Sequence, residues 1–146
     1  MSDHTREEAF VPTPEILAAA ECWQLLTEVS VGRLGIISDG HPDVFPVNFR
    51  VDKETVVFQT GDGTKLHAIE AGGSVALEAD SVSAEFGIAW SVIIKGPAAV
   101  VEHSDADLDR IGRPLFPWQG VGQDHIIRIS PASITGRRYS TRAGRQ

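Results

Sequence analysis

The run TVVFQTGDGTKL, residues 55–66, puts a hydroxyl and a lysine directly after a glycine-rich turn. A β-like stretch ends at Thr60, the chain turns through Gly61, Asp62 and Gly63, and Thr64 and Lys65 open what reads as a helix. This order can hold an anion. The first N–H groups of a helix have no partner inside it, and its dipole adds partial positive charge. Lys65 adds a full charge and Thr64 a donor, while glycines let a phosphate approach the backbone. The nucleotide-binding pattern G-x-x-x-x-G-K-[ST] is absent, because Gly63 is followed by Thr64-Lys65. That argues against a nucleoside triphosphatase. The same residues also fit an ordinary turn with an exposed lysine, and their spacing alone leaves both readings open.

Two further stretches could meet a ligand. In VFPVNFRV, Pro46 and Asn48 interrupt an apolar strand. Proline cannot donate to a ladder, so Pro46 marks an edge or a rim. Asn48 needs water or a hydrogen-bonding partner, which the polar edge of a flat ligand could provide. In PLFPWQG, two prolines bracket Phe116 and Trp118. Such aromatics either pack on the core or cover a ligand or partner. The five histidines show no metal-ligand spacing,. No G-x-S-x-G element and no recognisable carboxylate pair supplies a nucleophile or a base. If the chain is an enzyme, a cofactor carries the difficult chemistry.

The elements that must position these residues read as a single small β-rich domain. The chain has 146 residues, 42% hydrophobic and 23% charged, enough for one packed core,. We take residues 1–12 as a loose arm, 13–140 as the domain and 141–146 as a basic tail. The net charge of −7 argues against nucleic acid and acidic membranes as partners,. No apolar run is long enough to span a bilayer. The polar N-terminus and the lone Cys22 fit a reducing cytoplasm,. A first helix is expected from Thr13 as cap, with Pro14 at its first position and an apolar stripe of Ile16, Leu17, Ala20, Trp23 and Leu26. Cys22 is read as a packing residue beside that stripe. SVGRLGIIS and HPDVFPVNFRV flank Asp39-Gly40, a strong hairpin signal,. The turn DKE leads into TVVFQT, and a short helix from Lys65 to Ala71 follows the glycine turn. SVALEAD, then AWSVIIKGPAAVVEH, broken or bent at Gly96-Pro97, a helix Asp105–Ile111 and one closing strand DHIIRISPASITGRR complete the chain,. The arginines from Arg137 onward read as a solvated terminus. Many short antiparallel strands at this length indicate a small barrel.

The ordered set VGRLGIISDGHPDVFPVNF, VVFQTGDGTKL, AWSVIIKGPAAVVE, LFPWQ and IRISPASITGRR resembles the flavin-binding split-barrel superfamily. Within it, the chain is similar to small proteins related to pyridoxamine 5'-phosphate oxidase, over roughly residues 15–139. The resemblance implies a mainly β fold, a six-stranded antiparallel split β-barrel with a few short helices. It implies a homodimer with sites at the interface, FMN as the usual cofactor and flavin-dependent oxidoreduction. By this similarity Pro46, Val47, Asn48 and Phe49 line the ring edge, and Phe58, Gln59 and Thr60 run beside the ring and ribityl chain. Thr64 and Lys65 hold the phosphate, and Trp90, Ser91, Trp118 and Arg137 approach from the partner subunit. Relatives that bind a deazaflavin coenzyme, or haem, leave a deazaflavin-dependent reductase or a non-catalytic binding module as alternatives. The phosphate turn offers only Lys65 in place of a longer basic cluster, and the C-terminus ITGRRYSTRAGRQ lacks histidine. Both departures argue against oxidation of pyridoxamine phosphate itself.

Overall fold

The computed structural model of the chain describes residues 13–102 and 125–140. Eight strands and two helices follow in the order β1 (Glu15–Ile16), α1 (Ala19–Leu26), β2 (Val31–Ser38), β3 (His41–Asp52), β4 (Thr55–Thr60), α2 (Thr64–Glu70), β5 (Ser74–Ser83), β6 (Ile88–Val101), β7 (His125–Ile129) and β8 (Ser133–Ser140). None of the described helices is long and apolar enough to cross a membrane.

Two tight turns set the register of the first three long strands. Asp39 and Gly40 have φ of 52° and 77°, the left-handed geometry of a two-residue hairpin,. It pairs Ser38 with His41 and carries the ladder to Val31 opposite Asn48. Lys53 and Glu54 repeat the device at φ of 53° and 63°, without a glycine, where a Cβ makes that conformation costly. Side chains hold this second turn. The Thr55 hydroxyl donates to the Asp52 carbonyl at 2.6 Å. Arg128 reaches across from β7 to Asp52 at 3.0 Å and to Thr55 at 2.6 Å.

The strands close on themselves. The sheet order is β1-β8-β6-β5-β2-β3-β4-β7, and β7 also pairs with β6. The ring β6-β5-β2-β3-β4-β7 is therefore a six-stranded antiparallel barrel, as the resemblance implied. β6 serves both parts of the fold. Ile88–Lys95 pair with β8 outside the ring, while Ala98–Val101 pair with β7 inside it. The switch falls at Gly96-Pro97, so the long run is one bent strand. Alternate residues fill the barrel: Leu34, Ile36, Val47, Phe49, Val56, Phe58, Leu77, Ile94, Ile127 and Ile129 are all buried. Each large one contributes roughly 1.5–3 kcal/mol by leaving water.

Three sequence expectations are corrected. The first helix starts at Ala19, its N-cap is Ala18 with no side-chain cap, and Glu15–Ile16 form a strand instead. β1 pairs with Arg137 and Arg138 of β8, a long-range ladder that overrides the local Thr13-Pro14 signal. The buried face of α1 is Cys22, Leu25 and Leu26, with Cys22 at its centre against Gly136 of β8. The closing strand is two strands, β7 and β8, separated by a turn at Ser130–Ala132 whose Pro131 cannot continue a ladder,. Arg137 and Arg138 are not a solvated terminus. They lie in β8, where Arg138 bridges Glu15 of β1 and Glu21 of α1. The expected helix Asp105–Ile111 and the PLFPWQG stretch lie outside the described residues.

Candidate functional site

The candidate site lies at the turn from β4 into α2, a helix that packs against β2 and β6. β4 runs antiparallel to β3, with Phe58 opposite Phe49. Beyond Thr60 the turn Gly61–Gly63 leads straight into α2, whose N-cap is Gly63 at φ of 139°. No Cβ-bearing residue adopts that φ easily, so the glycine is required by the backbone. α2 leaves its start tied to β3: the Lys65 ammonium stands 5.4 Å from the centre of the Phe45 ring, next to Pro46 in sequence,.

Strand alternation divides the expected contact residues. Val47, Phe49 and Phe58 are core side chains with 0–4% exposure, leaving only their backbone for a ligand. Thr60 is also buried, its hydroxyl bonded to the Gly61 carbonyl at 3.3 Å. Pro46 and Asn48 point the other way, Pro46 exposed and Asn48 half-buried. Pro46 opposes Arg33, and the Phe49 N–H donates to the Ser30 carbonyl at 3.0 Å. Counting back from that bond, Pro46 falls at a non-hydrogen-bonded pair, so its missing N–H costs β2 nothing. Asn48 is bonded elsewhere in the chain, while its amide nitrogen Nδ2 is shut off from solvent with no acceptor in reach. Gln59 is half-buried and Thr64 exposed.

Lys65 is the electrostatic centre of this neighbourhood. Among the described residues it forms no ion pair, and burial pushes its ammonium below the usual lysine range. A half-buried cation facing only an aromatic ring is under-compensated, and an anion placed beside it relieves that deficit. The residues present therefore fit a phosphate group.

The remaining expected residues lie elsewhere. Ser91 and Arg137 face each other across β6 and β8, with β5 and β2 between them and β3. Trp90 is buried in the core, on the opposite face from Ser91,. Within one chain these three do not join Lys65, and Lys65 itself stands over Phe45, on the opposite face of β3 from Asn48,. Trp118 lies outside the described residues.

The structure adds groups that the sequence reading passed over. Arg33, opposite both Pro46 and Glu78, bonds Glu78 at 3.2 Å and Asp80 at 3.4 Å. Burial, and then the neighbouring Asp80, push the Glu78 carboxyl up to about 7 against the pull of Arg33. Glu78 and Asp80 stand two apart on a strand, hence on one face, and that spacing was the available signal. Beside them a shallow apolar groove of about 310 Å³ has Gly35, Ala76, Val44 and Lys95 in its lining. Asp62 in the glycine turn meets His125 of β7 at 3.1 Å, a long-range pair with no local signature. No group of three metal-ligating side chains occurs among the described residues.

Known proteins resemble this chain in sequence and fold. An uncharacterized protein of Mycobacterium tuberculosis, Rv3129, is 39% identical over 90 residues, 61% of this chain and 79% of its own length. The solved structure of the FAD binding protein from Mycobacterium smegmatis is 36% identical and matches with a TM-score of 0.65, covering 86% of this chain and 98% of that one. A FAD-binding protein from Mesorhizobium loti matches with a TM-score of 0.74, covering 89% of this chain and 99% of that one. At 22% identity it speaks for the fold alone. The pattern of the pyridoxamine 5'-phosphate oxidase family matches residues 18–138, from the cap of α1 into β8. The chain belongs to the pyridoxamine 5'-phosphate oxidase family.

Proposed function

We propose that this protein binds a flavin nucleotide at the turn from β4 into α2, and that it is a flavin-dependent oxidoreductase. The observation that carries this reading is Lys65, a half-buried cation with no counter-anion among the described residues, set at the end of a glycine turn. The relative from Mycobacterium smegmatis, described as a FAD binding protein, supports it. FMN and FAD share the ribityl phosphate that Lys65 and Thr64 would hold, and FMN is the simpler ligand for so short a turn. Pro46 and Asn48, with the backbone of Val47 and Phe49, would take the edge of the ring. Gln59, with the backbone of Phe58 and Thr60, would back the ribityl chain.

A bound flavin supplies hydride or single-electron transfer. The chain's own residues orient it and exclude water. The groove at Pro42 and Val44 gives room for an apolar acceptor. Ser91 and Arg137 would reach such a site from a second copy, so we take a homodimer as the binding unit. The buried thiol of Cys22, raised by burial and by Glu21, stays protonated and fits a reducing cytoplasm.

The test is an absorption spectrum of the purified protein, then titration of the stripped protein with FMN and with FAD. Lys65→Ala removes a charge-assisted contact and should weaken flavin binding by about 1.5–3 kcal/mol, roughly ten- to a hundredfold. Equal affinity in the variant, or no flavin binding by the parent protein, refutes the reading. Light scattering checks the dimer.

A further inference from the structure

The glycine turn that presents Lys65 also carries an acid. Asp62 lies three residues before Lys65, in a turn that otherwise has only glycines. Its side chain is 89% exposed and free to swing, yet it points at His125, with Oδ1 at 3.1 Å from Nε2. A carboxylate only accepts, so Nε2–H is the donor. His125 is well placed to hold it. It opens β7 in register with Thr60, the last residue of β4, its side chain is only 33% exposed, and it has a further interaction besides Asp62. Lys65, meanwhile, has no carboxylate within ion-pair distance among the described residues.

Asp62 lies one residue ahead of the N-cap Gly63 and Lys65 two residues past it, a separation that a long lysine side chain and a swinging carboxylate can close. A released Asp62 would be a ready counter-ion for Lys65, and it would compete there with any incoming phosphate. We infer that His125 is a positioning residue for the anion site: by binding Asp62 it keeps that carboxylate off Lys65 and leaves the ammonium open to a phosphorylated ligand. This inference rests on the flavin-phosphate reading above and adds to it the residue that guards the site. His125 touches no ligand in this account. It acts only through Asp62.

The experiment is a double-mutant cycle read by equilibrium titration of stripped protein with FMN and, in parallel, with riboflavin, which lacks the phosphate. The variants are His125→Phe, Asp62→Asn and the double substitution, each first checked for an unchanged melting profile. His125→Phe should weaken FMN binding about three- to fivefold, the scale of one exposed ion pair gained by Lys65. Riboflavin binding should not change. Asp62→Asn should bind FMN at least as well as the parent protein, and the double variant should recover the parent affinity. Inorganic phosphate should compete with FMN less well in His125→Phe than in the parent.

An unchanged FMN affinity in His125→Phe overturns the inference. So does a loss shared equally by riboflavin, or a loss that Asp62→Asn does not rescue, since either points to a damaged strand. Should His125→Phe fail to fold, Asp62→Asn alone decides: weaker FMN binding in that variant also overturns it. Parent protein that binds FMN no better than riboflavin overturns the phosphate reading itself, a distinct result from binding that is phosphate-dependent but indifferent to His125.

Discussion

Gly96→Ala tests the geometry of the bend in β6. A Cβ built at Gly96 falls 2.3 Å from the Ser130 carbonyl oxygen, 2.7 Å from the Ala132 nitrogen and 2.9 Å from the Pro131 Cα. All three are backbone atoms, so no side chain can rotate away. The turn they belong to is fastened to the bend by two hydrogen bonds. Ser130 N–H donates to the Pro97 carbonyl at 3.0 Å, and Ala132 N–H donates to the Lys95 carbonyl at 2.7 Å. Admitting one methyl must push the turn off β6 and stretch both bonds. Overpacking costs about 1–3 kcal/mol and each weakened hydrogen bond about 1 kcal/mol. A loss of about 3 kcal/mol follows. At 2–4 °C per kcal/mol for a domain near this size, that lowers the melting temperature by roughly 6–12 °C. Urea unfolding followed by circular dichroism measures it, with Gly35→Ala as the comparison. At Gly35 the added Cβ meets only Ala76, at 3.8 and 4.0 Å, and the change should lie within about 0.5 kcal/mol of the parent or stabilise. A Gly96→Ala protein as stable as Gly35→Ala would refute the argument.

Two other perturbations have expected outcomes. The Glu78 carboxyl is raised to about 7 in the folded protein from a usual 4.5, so the folded state binds the extra proton and stability falls as pH rises from 4.5 through 7. The full shift corresponds to about 3 kcal/mol, and solvent at this partly open site reduces it to about 1 kcal/mol; Glu78→Gln should flatten that part of a pH-stability curve and be the more stable protein at pH 8. Arg128→Met removes the bonds to Asp52 and Thr55 and frees a turn of two left-handed residues, costing about 1–3 kcal/mol by chemical denaturation.

Much of the strand order was legible because it is written in local patterns. Asp39-Gly40 announced a hairpin, β-rich runs marked β2, β4 and β5, and Gly96-Pro97 marked a break or bend in β6. What was not legible depends on partners distant in the chain. Glu15 looked like the first turn of a helix because Thr13-Pro14 is a good start signal, but Arg138, more than a hundred residues on, draws it into a strand. Pro131 was a usable stop signal inside the closing segment and went unread. At the site, Lys65 and Asn48 were visible from their types and neighbours. His125 was not, since only the pairing of β4 with β7 brings it to Asp62. The inward direction of Val47, Phe49 and Phe58 was implicit in strand period. A list of contact residues taken whole from a motif does not separate the side chains that face a ligand from those that face the core.

The closure of the barrel by β7 has a consequence for how the chain is made. β7 is five residues long and, among the described residues, is the sole link between β4 and the far half of β6. It also follows both β4 and β6 in the chain, so synthesis delivers those two strands before it. Until it emerges, β4 and β6 each present an open edge able to pair with another chain. The contacts that remove both edges span long stretches of sequence, a topology that folds slowly. The nascent protein therefore passes through a stage with its barrel wall complete but for one strand, when a short extended peptide with the pattern HIIRI could fill the gap. Such a peptide, supplied during refolding, should trap open chains while leaving closed ones untouched.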